Sequence, residues 1–223
     1  MRYIGFGTAT AAAVAVATAA GILWFGGSAA AHVQKAIDNA EKATSVKVTM
    51  TIENKGKVTE VRTLYRQGDA VRVETAADAT LPDKPIMVVD LKTRKLLTLL
   101  PGTKGAARGE LAAQEAQAVA GMLGDFAGLK MYLGGDDKAV KALGEEKIGD
   151  RKTTAYEITA KGPIPGVWKV WVDPKTDLPV RLRLAGEAKQ SLTFDFEDWN
   201  KKFDAKLFSQ DVPEGYKLPE VKK

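Results

Sequence analysis

No cysteine occurs in the 223 residues, and histidine occurs once, as His32. The first absence removes disulfides, thiolate metal sites, a cysteine nucleophile and the lipid-modified cysteine of a lipoprotein signal together. Any attachment to a membrane is then expected to be made by peptide. The second absence leaves the body of the chain without a Ser-His-Asp triad, a His-ligated metal or a His general base. Phosphate-cradling loops are missing too, since neither GxGxxG nor GxxxxGK[ST] is present. No cofactor and no metal are expected, and the chain is not expected to be an enzyme.

Two carboxylate groupings bear on that expectation. Asp136 and Asp137 follow Gly134 and Gly135, but a calcium loop needs oxygen ligands at alternate positions closing on a glutamate, and GGDDKAVKALG supplies none. Asp195 and Glu197 share one strand face in FDFEDWN, whereas an acid/base pair for glycoside chemistry must flank a sugar across a cleft. Solvated acids are the simpler reading of both. Excess positive charge is small, +5 from 33 Lys and Arg against 28 Asp and Glu. The bases are spread along the chain, not gathered into a stripe, so nucleic acid is not an expected partner.

What is present begins with a charge-free run, opening at Tyr3 and closing at Ala31, that contains GTATAAAVAVATAAGILWFGG. An apolar run of roughly 20 residues or more suits a membrane-spanning helix better than the shorter core of a cleaved signal. Arg2 marks the cytoplasmic side, and Trp24 and Phe25 have the character of an interfacial belt. The competing reading is a signal cleaved just before His32, after the small residues Ala29, Ala30 and Ala31. Residues 1–31 are thus expected to be an anchor or signal, and residues 32–223 one domain on the extracytoplasmic, periplasmic side. It would be tethered to the inner membrane or, if cleaved, soluble.

After the short amphipathic stretch HVQKAIDNAEKA the hydrophobic period changes to two. SVKVTMTIE sets Val46, Val48, Met50 and Ile52 on one face and Lys47, Thr49, Thr51 and Glu53 on the other, the pattern of a half-buried strand. Further strands are predicted in VTEVRTLYRQ, AVRVE, KPIMVVDL, KLLTLLP, TTAYEITA, GVWKVWVD, LPVRLRL and SLTFDFEDW. The turns between them include Gly68-Asp69, Gly149-Asp150 and Asp173-Pro174-Lys175-Thr176. Short strands with tight turns imply a meandering antiparallel sheet. One Ala-rich segment, about Leu111 to Leu129, reads as helix and falls between two halves of the sheet, where it is expected to cover the concave face.

Several of these pieces, in this order, resemble the LolA-like superfamily of lipoprotein carriers and sigma-factor regulatory sensors. They are AEKATSVKVTMTIENKGK, LYRQGDAVRVE, IMVVDLKTRKLLTLLP, LGEEKIGDRKTTAYEI, VWKVWVDPKTDLPVRLRL and FDFEDWNKKFDAKLFSQDVPEGYKL. The resemblance implies a mainly β fold of α+β type: a curved antiparallel sheet, or incomplete β-barrel, with helices covering an apolar concave face that accepts acyl chains. It also implies a non-catalytic domain that binds lipid or lipoprotein, or senses the state of the envelope. Only Met1 and Arg2 precede the apolar run, so no sigma-binding domain is expected ahead of it unless the start lies upstream. The alternative is a structural or protein-interaction domain, the outer part of a regulatory system, whose core is filled by its own side chains. Candidate groove residues are Met122, Leu123 and Phe126 on the helix, with Trp168, Trp171 and Trp199. Trp168 and Trp171 are three apart and so must point to opposite faces of a strand.

Overall fold

The computed structural model describes residues 28–77, 83–121, 123, 140–160, 166–186 and 189–219. Of the expected membrane helix, only residues 28–31 lie within them. Eleven strands form one sheet: β1 (Ser45–Asn54), β2 (Lys57–Gln67), β3 (Ala70–Ala77), β4 (Ile86–Asp90), β5 (Lys95–Leu100), β6 (Gly105–Glu110), β7 (Val140–Ile148), β8 (Arg151–Ala160), β9 (Gly166–Asp173), β10 (Leu178–Ala185) and β11 (Gln190–Glu197). Their spatial order is β6-β5-β4-β3-β2-β1-β11-β10-β9-β8-β7. Two antiparallel meanders, β1 to β6 and β7 to β11, are therefore joined along a single seam. At that seam β1 runs antiparallel to β11, with Val48 opposite Phe196 and Met50 opposite Phe194. The sheet is curved and stays open, with β6 and β7 as its edges. This is the mainly β, unclosed architecture expected from the sequence.

Two-residue turns set the registers. Gly68 between β2 and β3 and Gly149 between β7 and β8 have φ of 59° and 58°, left-handed values that cost glycine nothing and a β-branched residue a great deal. On the concave face the period-two residues of β1 meet those of its neighbours. Val46, Val48, Leu64, Val71, Val73, Phe196, Leu182 and Ile158 are each at most 1% exposed.

Ahead of the sheet lies α1 (Ala29–Lys42), which takes in Ala29, Ala30 and Ala31 as its first turn. Ser28 caps it, its side-chain oxygen accepting from the Ala31 amide at 3.2 Å, so that one of the free amides of the first turn is satisfied. The stripe Val33, Ala36, Ile37 and Ala40 follows helical spacing and is buried against β7, β9 and β10. Burial of Val33 and Ile37 contributes about 1.5–3 kcal/mol each. The other end of the helix meets Arg66 of β2, whose Nη2 donates to the carbonyls of Ala43 (2.8 Å) and Ala40 (3.4 Å). The Ala40 carbonyl otherwise takes only the Ala43 amide at 3.3 Å, no turn follows to bond the Ala43 carbonyl, and a guanidinium suits the negative end of the helix dipole. Burial lowers the Arg66 pKa from its ordinary value, as expected for a cation taken out of water.

The described part of the insert between the two meanders holds a helix, α2 (Ala113–Gly121), within the expected segment; residue 122 and residues 124–129 of that segment lie outside the described residues. Glu115 accepts from the Ala112 amide at 2.8 Å near its start. Val119 is the buried residue of this helix, and Leu123 beyond it is also buried, while Ala112 and Ala120 face solvent.

Beyond β11 the tail crosses to the convex face. Phe203 packs edge-on to Tyr65 with centroids 5.6 Å apart, and Arg72 donates to the Leu207 carbonyl in the 3-10 turn Ala205–Phe208. Val212 and Tyr216 then cover a second, small core of Val88, Leu97, Leu99 and Ala106 on the outer side of β4 to β6. Lys217 ends beside the β6 edge, where its carbonyl accepts from the Ala106 amide at 2.8 Å. An edge strand paired in this way is closed to another chain at that point.

Candidate functional site

The concave face can be assembled row by row from the strand registers. Across the distal end, away from the turn that links α1 to β1, one row runs Ile52, Leu192, Leu184, Trp168, Ile158 and Val140 over six neighbouring strands. The next row contains Met50, Phe194, Leu182, Val170, Tyr156 and Ala142. All twelve are apolar or aromatic, and successive rows lie about 7 Å apart along the strands. Ile52, Leu192 and Leu184 are only partly buried and form a rim.

On the other wing the same rows become polar. Ile52 is opposite Glu60, and Met50 is opposite Arg62, itself opposite the buried Thr75. Arg62 and Glu60 form an ion pair. With Arg66, this places three charged side chains of β2 on the inner face, a feature the sequence reading did not identify. Leu64 is the partner of Val48, so the even-numbered residues from Glu60 to Arg66, short of the bulge at Ile52/Glu53, share its side, and β2 by itself carried no signal for that choice.

The candidate groove residues separate as follows. Trp168 and Leu123 belong to the concave core, and Trp199 packs against it, stacked on Phe196 with centroids 5.5 Å apart. Trp171 lies on the opposite, convex face. Met122 and Phe126 lie outside the described residues, as do Leu129 and the Asp136-Asp137 pair. Among the described residues, two recesses flank α1. A cavity of about 20 Å³ by His32, Thr154, Tyr156, Val172, Pro174 and Asp177 has room for roughly one water. An open cleft beside the end of the helix is bounded by Asn39, Lys42 and Asn200.

Hydrogen bonding distinguishes the three described indoles. Trp199 donates from Nε1 to the Pro179 carbonyl at 2.8 Å, and Trp171 donates to Glu146 Oε2 at 2.7 Å. Trp168 is 4% exposed and its buried Nε1 has no acceptor among the described residues.

The convex face is built from cross-strand ion pairs. Asp195 accepts from Arg181 Nε at 2.5 Å and Glu197 from Lys47 at 2.9 Å, so the two carboxylates weighed as an acid/base pair are each held by a cation on a neighbouring strand. Glu146 bridges Lys169 and Trp171, both at 2.7 Å. Burial alone would raise its pKa, but the two donated hydrogen bonds and the lysine charge outweigh that and hold the carboxyl below the usual glutamate range. A depressed folded value means the contribution to stability is complete above the ordinary glutamate pKa of about 4.3 and is lost as pH falls through the folded value. The Trp171 indole resonance is therefore expected to be constant from about pH 5 to 8 and to shift only below about pH 4. A midpoint above pH 5 would contradict this assignment.

No protein-family model matches the sequence, and comparison with curated proteins gives no match either. Solved structures do match. The lipoprotein LppX of Mycobacterium tuberculosis superposes with a TM-score of 0.53 at 15% identity, over 79% of this chain and 97% of that one. LprF of Mycobacterium bovis gives 0.58 at 13% identity, over 86% and 100%. A chain of the Pseudomonas aeruginosa MucA/MucB complex gives 0.50 at 14% identity over 82% of this chain, which spans 61% of that one. At such identities the likeness is one of fold, and it is the LolA-like fold that the order of segments suggested.

Proposed function

We propose that this is a non-catalytic, extracytoplasmic domain that binds acyl chains of lipid or lipoprotein on its concave face and is held at the membrane by its N-terminal apolar run. The observation that carries the reading is the pair of apolar rows that cross six strands and end in the partly exposed rim of Ile52, Leu192 and Leu184. Eight of the twelve residues are buried, so a chain would enter from the partly exposed rim and run in along the rows. The fold shared with a lipoprotein, LppX, is in keeping with work at an envelope.

Two features favour the tether over cleavage before His32. Such a cut would remove Ser28, and an N-cap contributes about 1 kcal/mol to its helix. It would also remove Ala30, which is 6% exposed and part of the main core. The second reading, an interaction domain with a self-filled core, draws on α1, whose stripe already occupies one half of the concave face. MucB, a structural neighbour, is seen in complex with another protein, MucA.

Lipid-dependent protection tests the choice. Val119 and Leu123, with the partly buried Leu111 ahead of the helix, are the apolar side chains that dock α2 among the described residues, and so few contacts hold a nine-residue helix weakly. Amide exchange of residues 113–121 should slow at least severalfold when phospholipid is added, with lipid found on the protein by native mass spectrometry. Leu123→Ala should reduce both effects and leave the strands as protected as before. Exchange as slow as that of β1 without lipid, together with no retained lipid, would favour the self-filled core.

A further inference from the structure

We infer that the Trp168 indole N–H is the polar contact of the acyl site and that it takes a neutral carbonyl, the ester or amide oxygen that joins an acyl chain to its headgroup. This rests on the acyl-binding reading and names the chemistry of the ligand. A buried donor without an acceptor is costly, and native proteins keep few of them. The other two described indoles show that this fold supplies acceptors where they are needed, from the Pro179 carbonyl and from Glu146. Trp168 has none and sits 4% exposed in the middle of an apolar row, between Leu184 on one strand and Ile158 on the next. Its cross-strand neighbours on that face offer no oxygen from a side chain.

The surroundings decide which acceptor fits. A free carboxylate would bring a full charge into an apolar row, and a buried charge needs a partner. The part-buried cations of the concave face among the described residues, Arg62 and Arg66, are on β2, four strands from β9, which is about 19 Å along the sheet. There Arg62 pairs with Glu60 and Arg66 holds the end of α1. A neutral carbonyl needs no counter-charge, and its attached chain would extend along Leu184, Leu192 and Ile52 to the rim. Glycerolipids and acylated lipoproteins share this group.

The test compares carbonyl with no carbonyl on the full chain, held in nanodiscs of diether phospholipid. Monomeric dihexanoyl phosphatidylcholine, its diether counterpart, hexanoate and a synthetic peptide with an S-diacylglyceryl cysteine are the probes. The diester should bind roughly tenfold tighter than the diether, and hexanoate no better than the diether. The Trp168 indole proton resonance, assigned by its loss in Trp168→Phe, should move downfield with the diester alone of the two phospholipids. Trp168→Phe should bind both phospholipids equally. Tighter binding of the peptide than of the diester would assign the site to lipoproteins, and the reverse to free lipid, each with the carbonyl contact intact. Equal binding of diester and diether by the unaltered chain would overturn the carbonyl contact and leave acyl binding standing. An indole resonance already downfield in diether nanodiscs would show an acceptor within the protein and overturn it independently of any variant. Binding of no probe would remove the acyl reading, and this inference with it.

Discussion

Phe196→Ala is expected to lower the unfolding free energy by about 3–5 kcal/mol, enough to unfold a large share of a marginally stable domain. Phe196 is fully buried on β11, opposite Val48 of β1, between Phe194 at 6.4 Å and Trp199 at 5.5 Å by ring centroids. Both meanders are assembled from hairpins between neighbouring strands, which form cheaply. The β1–β11 seam alone joins the two, by pairing residues nearly 150 positions apart. A cavity at Phe196 thus weakens the one sheet contact on which the union of the halves depends. Urea unfolding followed by tryptophan fluorescence checks the size, and amide exchange on β1 and β11 checks the place. A loss under about 1 kcal/mol would mean that the seam collapses to fill the space.

Ile37→Ala has the second largest expected effect, about 2–5 kcal/mol. Ile37 is 1% exposed at the centre of the α1 stripe, and no other described helix fills that half of the concave face. The variant should speed amide exchange through residues 29–42 and redden the fluorescence of Trp168, which shares the core with the helix. Lys35→Ala is the control. Lys35 lies two residues away and forms an ion pair with Asp177 at 2.8 Å, but its side chain is 61% exposed, and pairs of that kind contribute under about 1 kcal/mol. Similar losses from both variants would indicate that the helix is held by its charged side and not by its apolar stripe.

The strands that alternate were legible: β1, β9, β10 and β11 begin and end within two residues of where the hydrophobic period placed them. The two edge strands were not. GAARGE of β6 has no β-branched or aromatic residue, and VKALGEEKI of β7 carries four charges and a bulge glycine, Gly144, at φ 101°. Edges tolerate and even select such residues, because a regular apolar edge invites aggregation. The role of the first helix was also hidden. Its Ala-rich stripe looked slight beside the longer insert, yet it buries Val33, Ala36, Ile37 and Ala40, while the described part of the insert buries Val119 and Leu123.

The sequence by itself determined that the domain is a meandering antiparallel sheet with a helix ahead of it and another inserted. It also determined that Trp168 and Trp171 lie on opposite faces, since a period of two leaves an odd separation no other outcome. Tertiary structure decided which face is the inside. In β2, Val61, Thr63 and Tyr65 make the more apolar side, but pairing of Leu64 with Val48 turns that side outward and carries Arg62 and Arg66 in. Tyr65 is then covered by Phe203 from the tail, and Arg66 is placed where the carbonyls of α1 need a donor. Trp168 was placed inside in the same way, through its register with Leu184 and Ile158. A strand's own residues fix two faces, and only the neighbours to which it bonds, and what packs on them, fix which of the two is concave.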